Sequence, residues 1–135
     1  CELNPASITG LRWGANANGV EQKLTVHQGN NHDTLPSLRG LADRCHLGLL
    51  PSSEGVWAHA LACLKPTGGM LHIHMNVEKE RIEEWRADTI ATLEMMAEEA
   101  GRSWNITSVH VEHVKSFSPG VIHVVLDVLC SVRVE

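Results

Sequence analysis

The sequence predicts an α/β domain with a mostly parallel sheet and a closing antiparallel hairpin. Apolar or β-branched runs alternate with segments of helical periodicity from Pro5 to about Ala100. The runs "WNITSVHVEHV" and "VIHVVLDVLCSV" then follow each other across the turn "KSFSPG". Strands that alternate with helices imply parallel pairing through right-handed crossovers, and the final hairpin adds one antiparallel strand. The 135 residues, 43% of them hydrophobic, fit one globular domain.

The first half of the chain predicts one helix and two strands. Pro5 at a first-turn position and an apolar stripe predict a helix that ends near Gly19; the stripe consists of Ile8, Leu11 and Ala15. Alternation over residues 23–29 predicts a strand that stops at "GNN". A helix-free loop then leads to a second strand over residues 42–50.

The second half predicts a helix, a strand, the longest helix and the hairpin. Ser52 and Ser53 are expected to cap a helix over residues 54–65, and a strand over residues 70–77 follows "PTGG". Helical spacing predicts the longest helix from Glu78 to about Ala100; its stripe is Ile82, Trp85, Ile90, Leu93, Met96 and Ala97.

Composition limits the function classes. The net charge of −5 argues against a broad phosphate-binding surface on this segment. The four cysteines are far apart and three lie in apolar runs, which is typical of reduced thiols, so we expect a cytoplasmic protein. No run approaches the roughly 20 apolar residues of a membrane span. Because the chain begins with Cys1, we expect the natural protein to begin upstream.

Ligands of such sheets bind outside the carboxyl ends of the strands, which here lead into "CELNP", "GNNHD", "LLPSSE" and "HMNV". Glu2 is placed to accept hydrogen bonds from both hydroxyls of a ribose, although an acid before a helix also stabilises the macrodipole. Asn30 or Asn31 could meet an adenine edge, or simply form a turn. Spacing alone leaves both pairs of alternatives open.

Two other chemistries fit the sequence poorly. His72 and His74 alternate on one predicted strand, and His110, His113 and His123 lie on the final pair, but their spacing matches no zinc pattern, so no metal site is predicted. No Gly-x-Ser-x-Gly elbow is present, so helix capping explains Ser52 and Ser53 better than nucleophilic catalysis does. No side chain stands out as a general base.

Several stretches together resemble the catalytic domain of the tRNA wybutosine-synthesising protein 2 family. They are "CELNP" with the later "NGV", "GNN", "ADRCHLGLLPSSEGVW", "GGMLHIHMNV" and "VKSFSPGVIHVVLDV". The resemblance covers nearly the whole chain. The parts "LGLLPSSE", "LHIHMNV" and "VKSFSPGV" are specific to this family within the wider class of methyltransferase-like folds.

The resemblance implies a Rossmann-like class I methyltransferase fold, of which residues 1–135 are a partial catalytic domain that binds S-adenosylmethionine. It implies transfer of the 3-amino-3-carboxypropyl group to carbon 7 of the wyosine-precursor base at position 37 of tRNA-Phe. Glu2 would hold the cofactor ribose, and Asn30 and Asn31 fall on the family's Gly-Asp-Asn beside the adenine. The wall of the target-base pocket would comprise His46, Leu50, Pro51, Ser52 and Ser53.

The chain departs from the family's pattern in several places. Asn30 replaces an aspartate, His32 replaces an arginine, and His46 stands where the family usually has asparagine. The first strand and its Gly-rich loop are not among these residues. We therefore expect the neighbouring strands to expose unpaired backbone groups, the isolated segment to bind cofactor poorly, and tRNA to be gripped mainly by segments outside this chain.

Two other functions remain open at this point. One is methylation of guanine 37 by a tRNA methyltransferase of similar fold, although that family's fourth strand ends more like Asn-Leu-Pro than "HLGLLPSSE". The other is a non-catalytic remnant or RNA-binding scaffold, which the exchanges at Asn30, His32 and His46 suggest. The sequence predicts no oligomeric state.

Overall fold

The chain divides into two units in the computed structural model, which describes residues 1–134. The first unit is Cys1–Leu38, and the second begins at Arg39. The single domain expected from length and composition stays a prediction.

The first unit contains the predicted helix, α1, over Pro5–Ala17. The side chain of Asn4 caps it by accepting from the backbone N–H of Ala6, and Pro5 occupies the first turn, where no intrahelical donor is lost. The chain leaves α1 through Gly19, whose φ of 64° lies in the left-handed region that glycine adopts most easily. The helix bounds are therefore set by local chemistry.

The predicted strand over residues 23–29 is wrong. Glu21–Lys23 forms a 3₁₀ turn, and only Gln28 pairs, in a parallel bridge with Glu2. Alternation over seven residues fits a strand, but a strand also needs a neighbour, and here that neighbour is one residue long. The loop expected to lack helix is also wrong, because α2 covers Asn31–Thr34 and a 3₁₀ turn follows at Leu35–Leu38.

The second unit is built on a four-stranded sheet in the order β1-β2-β4-β3. The strands are β1 (Arg44–Leu47), β2 (Gly68–Glu78), β3 (Trp104–Ser118) and β4 (Val121–Val132). β1 and β2 are parallel, and β4 is antiparallel to both β2 and β3, so three strands share one direction. The α/β class and the single antiparallel strand are confirmed. Among the described residues β1 is an edge, as expected.

Helices α3 (Trp57–Cys63) and α4 (Ile82–Glu99) belong to this unit. The helix predicted from residue 54 begins with a 3₁₀ turn, Glu54–Val56, and becomes α-helical only at Trp57. Ser52 accepts from the backbone N–H of Glu54 at 3.2 Å, whereas Ser53 makes no cap. The N-cap positions are Ser53 for the 3₁₀ turn and Val56 for α3, and neither side chain caps, so the predicted capping by Ser52 and Ser53 is wrong and Ser52 only orders the turn before the helix.

One face of the sheet carries the core. On β4 alternate residues from Val124 to Cys130 are 0 to 1% exposed, as are Leu71 and Ile73 on β2, and the buried stripes of α3 and α4 complete the apolar core. Ile82, at the start of α4, packs in one cluster with Val77 and Val124. Val, Ile and Leu at every second position suit a half-buried strand, which explains why both strands were predicted correctly.

Three bulges interrupt the pairing of β3 with β4, between Ser108 and His110, His113 and Lys115, and Ser116 and Ser118. The residues left out of register are Val109, Val114 and Phe117, and all three are exposed. β3 is an edge strand among the described residues. Bulges of this kind bend an edge and make it a poor template for further strands.

The cysteines behave as core thiols except at the start of the chain. Cys63 and Cys130 are buried, Cys45 is half-buried and Cys1 is exposed, and none of the four forms a disulfide bond among the described residues. Burial raises the pKa of Cys45 to about 11 and that of Cys130 to about 12, so both stay protonated at neutral pH. No helix within residues 1–134 is long and apolar enough to cross a membrane.

Candidate functional site

The first unit brings Glu2, Asn30 and Asn31 to one edge. Glu2 donates its backbone N–H to the carbonyl of His27 at 3.0 Å, and its own carbonyl accepts from Gly29 at 2.9 Å. The two segments therefore run side by side in the same direction, and Asn30 follows Gly29 directly. A single parallel bridge is enough to put the three predicted cofactor residues at neighbouring segment ends.

One of the two carboxylate oxygens of Glu2 already accepts a hydrogen bond within the first unit. Its Oε1 accepts from the backbone N–H of Asn4 at 2.7 Å, which orders the entrance to α1. No hydrogen bond is formed by Oε2 within the described part of the chain. One oxygen of Glu2 thus supports the local turn, and the other is available to accept from a hydroxyl group.

Asn30 caps α2. Its Oδ1 accepts from the backbone N–H of His32 at 2.9 Å, and its backbone carbonyl accepts from Asp33 and Thr34 at 3.0 Å. An aspartate would cap a helix equally well, so the exchange from the family's residue preserves this local structure. The side-chain amide of Asn30 remains available as a donor, and Asn31 opens the helix itself.

The second unit holds the residues predicted for a target-base pocket. His46 lies on β1, and Leu50 to Ser53 form the connection between β1 and α3, which includes a cis peptide bond between Leu50 and Pro51. Leu50 and Pro51 are exposed, whereas Ser53 is 1% exposed and accepts from the indole Nε1 of Trp57 at 3.0 Å. Ser53 therefore fixes the turn to α3.

His46 is part of a cluster of three imidazoles on adjacent strands, which we call the imidazole row: His46, His74 and His123. The rings of His46 and His74 meet edge to face with centroids 4.4 Å apart. Nδ1 of His74 lies 3.0 Å from Nε2 of His123, within hydrogen-bonding distance. The strand register explains the row, because His46 is paired with His72 and His123 with Asn76, on the same face as His74.

A hydrogen-bonded histidine–aspartate pair lies beside the imidazole row. His72 donates from Nδ1 to Oδ1 of Asp127 at 2.6 Å, and Arg44 lies 3.2 Å from the other ring nitrogen of His72. The side chains of His72 and Asp127 are 23% and 28% exposed, so water screens the pair only in part. The face opposite the core is therefore polar and ordered by side-chain contacts.

Burial lowers the pKa of His74 below its ordinary value of 6.5, and the neighbouring imidazoles of His46, His123 and His72 lower it further. Desolvation disfavours the charged form of a base, so His74 is held neutral at neutral pH. Within residues 1–134, no group of three or more His, Cys, Asp or Glu side chains could hold a metal ion.

Sequence reasoning missed His74, His123 and Asn76 as members of this region. The His-x-His alternation was a usable signal, but it was weighed only as a metal pattern, and pairing of β4 with β2 could not be foreseen. Oδ1 of Asn76 is buried and has no hydrogen-bond partner among the described residues. A buried acceptor of this kind is costly unless a donor reaches it.

Comparison with known proteins gives relatives over nearly the whole chain, although no protein-family model matches it. The chain is 43% identical over 130 residues to tRNA wybutosine-synthesizing protein 2/3/4 of Arabidopsis thaliana, covering 96% of this chain and 13% of that protein. It is 35% identical over 161 residues to the tRNA wybutosine-synthesizing protein 2 homolog of Danio rerio, covering 96% and 39%. The chain thus spans well under half of these relatives.

Two solved structures share the fold. TYW2 of M. jannaschii in complex with AdoMet matches with a TM-score of 0.78 at 24% identity, covering 97% of this chain and 56% of that chain. Trm5b from Pyrococcus abyssi matches with a TM-score of 0.74 at 18% identity, covering 96% and 36%.

The mixed sheet and these neighbours define the class: the chain has a class I S-adenosylmethionine-methyltransferase-like fold. Within that class the relationship is specific. Over 96% of its length the chain is similar to tRNA wybutosine-synthesizing proteins 2/3/4 and 2, at 43% and 35% identity, which confirms the resemblance drawn from the sequence.

Proposed function

We propose that this chain is part of the catalytic domain of an S-adenosylmethionine-dependent tRNA aminocarboxypropyltransferase. The reaction moves the 3-amino-3-carboxypropyl group to carbon 7 of the wyosine-precursor base at position 37 of tRNA-Phe. The observation that carries the proposal is the 43% identity over 96% of the chain to a tRNA wybutosine-synthesizing protein. Fold alone does not separate this reaction from methylation, because TYW2 and Trm5b match the fold about equally well.

The cofactor half of the proposal uses the edge of the first unit. Glu2 accepts from the ribose hydroxyls through Oε2, while Oε1 stays bonded to Asn4. The amide groups of Asn30 and Asn31 contact the adenine, for which an amide offers both a donor and an acceptor. S-adenosylmethionine supplies the sulfonium-activated carbon, and the chain's own groups bind and orient.

The base half of the proposal uses the second unit. His46 and Leu50 to Ser53 form a wall of the target-base pocket, and the buried Ser53 to Trp57 hydrogen bond keeps that wall rigid. Positioning of two reactants can supply much of a rate enhancement, so a fixed wall suits a reaction with no obvious general base. Because this chain has a net charge of −5, tRNA-Phe binds mainly to segments outside it. The cytoplasmic location remains a prediction.

The deciding experiment incubates the full-length protein with S-adenosylmethionine and hypomodified tRNA-Phe, followed by mass spectrometry of the nucleosides. The expected product gains one aminocarboxypropyl group on the wyosine precursor. A gain of one methyl group on guanine 37 would replace the proposal with the methyltransferase. If the protein binds no cofactor in calorimetry and modifies no tRNA, the non-catalytic scaffold is the correct alternative.

The role of Glu2 has a test of its own in the full-length protein. Glu2→Gln keeps the size of the side chain but removes its charge, and we expect the Kd for S-adenosylmethionine to rise about 10-fold or more, the usual scale for a charged hydrogen bond. Glu21→Gln, in the same unit, is the matched control and should leave the Kd unchanged. An equal Kd for wild type and Glu2→Gln would remove Glu2 from the site.

A further inference from the structure

The ring of His46 is confined from two sides. A Cβ atom added at Gly48 would lie 3.0 Å from Nε2 and 3.3 Å from Cδ2 of His46, so the imidazole occupies space that any other residue at position 48 would crowd. On the other side the ring meets His74 edge to face at a centroid distance of 4.4 Å. An exposed imidazole therefore has a defined orientation although it makes no hydrogen bond of its own in the described structure.

The orientation of His74 is fixed in turn by His123. The 3.0 Å separation of Nδ1 of His74 from Nε2 of His123 requires one ring nitrogen to donate and the other to accept. Two imidazolium ions cannot form this bond, since neither would offer a lone pair. The bond therefore holds at least one of the two rings neutral, and it ties β2 to β4 at this position.

We propose that His74 and His123 are positioning residues, which hold the imidazole of His46 toward the target-base pocket. The inference rests on the proposed function, because it assigns no new reaction and instead says how one wall of that site is oriented. His74 and His123 touch no substrate in this scheme. They act only through the ring of His46, as the imidazole row passes from β4 to β2 to β1.

A metal site and a charge relay both fit the imidazole row less well than the positioning of His46 does. A metal site is disfavoured because no suitable group of three or more ligands exists within residues 1–134. A charge relay to Asp127 is also disfavoured, since that carboxylate is already bonded to His72 rather than to a member of the row. The lowered pKa of His74 agrees with a neutral ring at the centre of the row. Orientation of His46 is the role that uses every contact.

The geometry is tested by NMR on full-length protein labelled at the histidine rings, with signals assigned by single substitutions. Removing the hydrogen bond with His123→Leu should shift the ring signals of His46, which it does not contact. His123→Gln introduces a side-chain amide that can form the bond in place of the imidazole and should bring those signals back toward the wild-type positions. His113→Gln, an exposed histidine on β3, is the control and should shift nothing in the row.

Kinetics then test the consequence. We expect His123→Leu and His74→Phe to lower kcat with hypomodified tRNA-Phe by about 10-fold, because misplacement of a site wall is costly even when it is small. The KM for S-adenosylmethionine should stay constant, as Glu2, Asn30 and Asn31 set it. His123→Gln should recover most of the rate. A merely structural role would instead lower the melting temperature, without a fall in kcat at constant KM and without recovery of kcat in His123→Gln.

The outcomes separate the two proposals. If wild-type protein transfers no aminocarboxypropyl group, the proposed function fails, whatever the NMR signals do. If wild type is active, but His123→Leu leaves both kcat and the His46 signals unchanged, the positioning inference is overturned and the function stands. The inference is supported when His46 signals and kcat change together in His123→Leu and both recover in His123→Gln.

Discussion

The two faces of the four-stranded sheet differ in what holds them. The face toward α3 and α4 is apolar, with Leu71, Ile73, Leu126 and Val128 at most 1% exposed. The opposite face carries histidines, Arg44 and Asp127, which contact one another through rings and hydrogen bonds. Both faces come from the same strands and alternate residue by residue. The first face specifies the fold, and the second is free to carry specific chemistry.

The largest expected effect is a difference in the free energy of unfolding between substitutions on the two faces of a single strand, β4. Leu126→Ala removes a fully buried side chain and should lower the free energy of unfolding by about 2–5 kcal/mol, through lost burial and a cavity. Leu129→Ala lies on the other face and is 38% exposed, so the loss should be about 1 kcal/mol or less. Urea denaturation of both variants measures the difference. Equal losses would contradict the assignment of the faces.

The contrast also explains what the sequence could predict. Apolar residues that face the core recur with the period of the strand or helix that carries them. Their spacing is therefore enough to locate β2, β4 and the stripe of α4 correctly. The local sequence of a strand carries no comparable signal for which other strand it pairs with. The predicted strand over residues 23–29 is wrong because residues 1–134 offer it no neighbouring strand of that length, and the insertion of β4 between β2 and β3 has no signal in the sequence.

The candidate site divides in the same way. The resemblance pointed to Glu2, Asn30 and Asn31, and the structure places all three at one edge of the first unit, although their role stays a prediction. His46 was found as an exchange within a motif. Its contacts with His74 and Gly48 depend on a parallel register and a missing Cβ, and neither can be deduced from one sequence. Contacts between distant strands are what sequence periodicity cannot supply.

A second, smaller effect is the difference in the free energy of unfolding when either of two carboxylates that pair with histidines on the polar face is replaced. Asp127→Asn weakens the half-buried bond to His72 and should lower the free energy of unfolding by about 1 kcal/mol, after allowance for partial exposure. Glu112→Gln breaks the pair with His110, in which both side chains are more than half exposed, and should change it by less than about 0.5 kcal/mol. Equal stabilities in thermal unfolding would show that the polar face contributes little.

The smallest effect is a pH dependence of stability that belongs to His74. Its pKa is lowered in the folded chain by burial and by neighbouring imidazoles, whereas the unfolded residue titrates near 6.5. Charged or titratable groups lie on the same face of every strand in the sheet: Arg44 and His46 on β1, His72 and Glu78 on β2, His123 and Asp127 on β4, and His110, Glu112 and Lys115 on β3.

The sign follows from proton counting. Between the two pKa values the unfolded chain binds more protons, so the stability from His74 is fully present above pH 6.5 and is lost as the pH falls through the folded pKa. Urea unfolding from about pH 8 down to about pH 5 should therefore show a steeper loss for wild type than for His74→Gln. His113→Gln should follow the wild-type curve. Parallel curves for wild type and His74→Gln would mean that the polar face is open enough to water to hydrate a charged His74, and that its side-chain contacts do not exclude solvent.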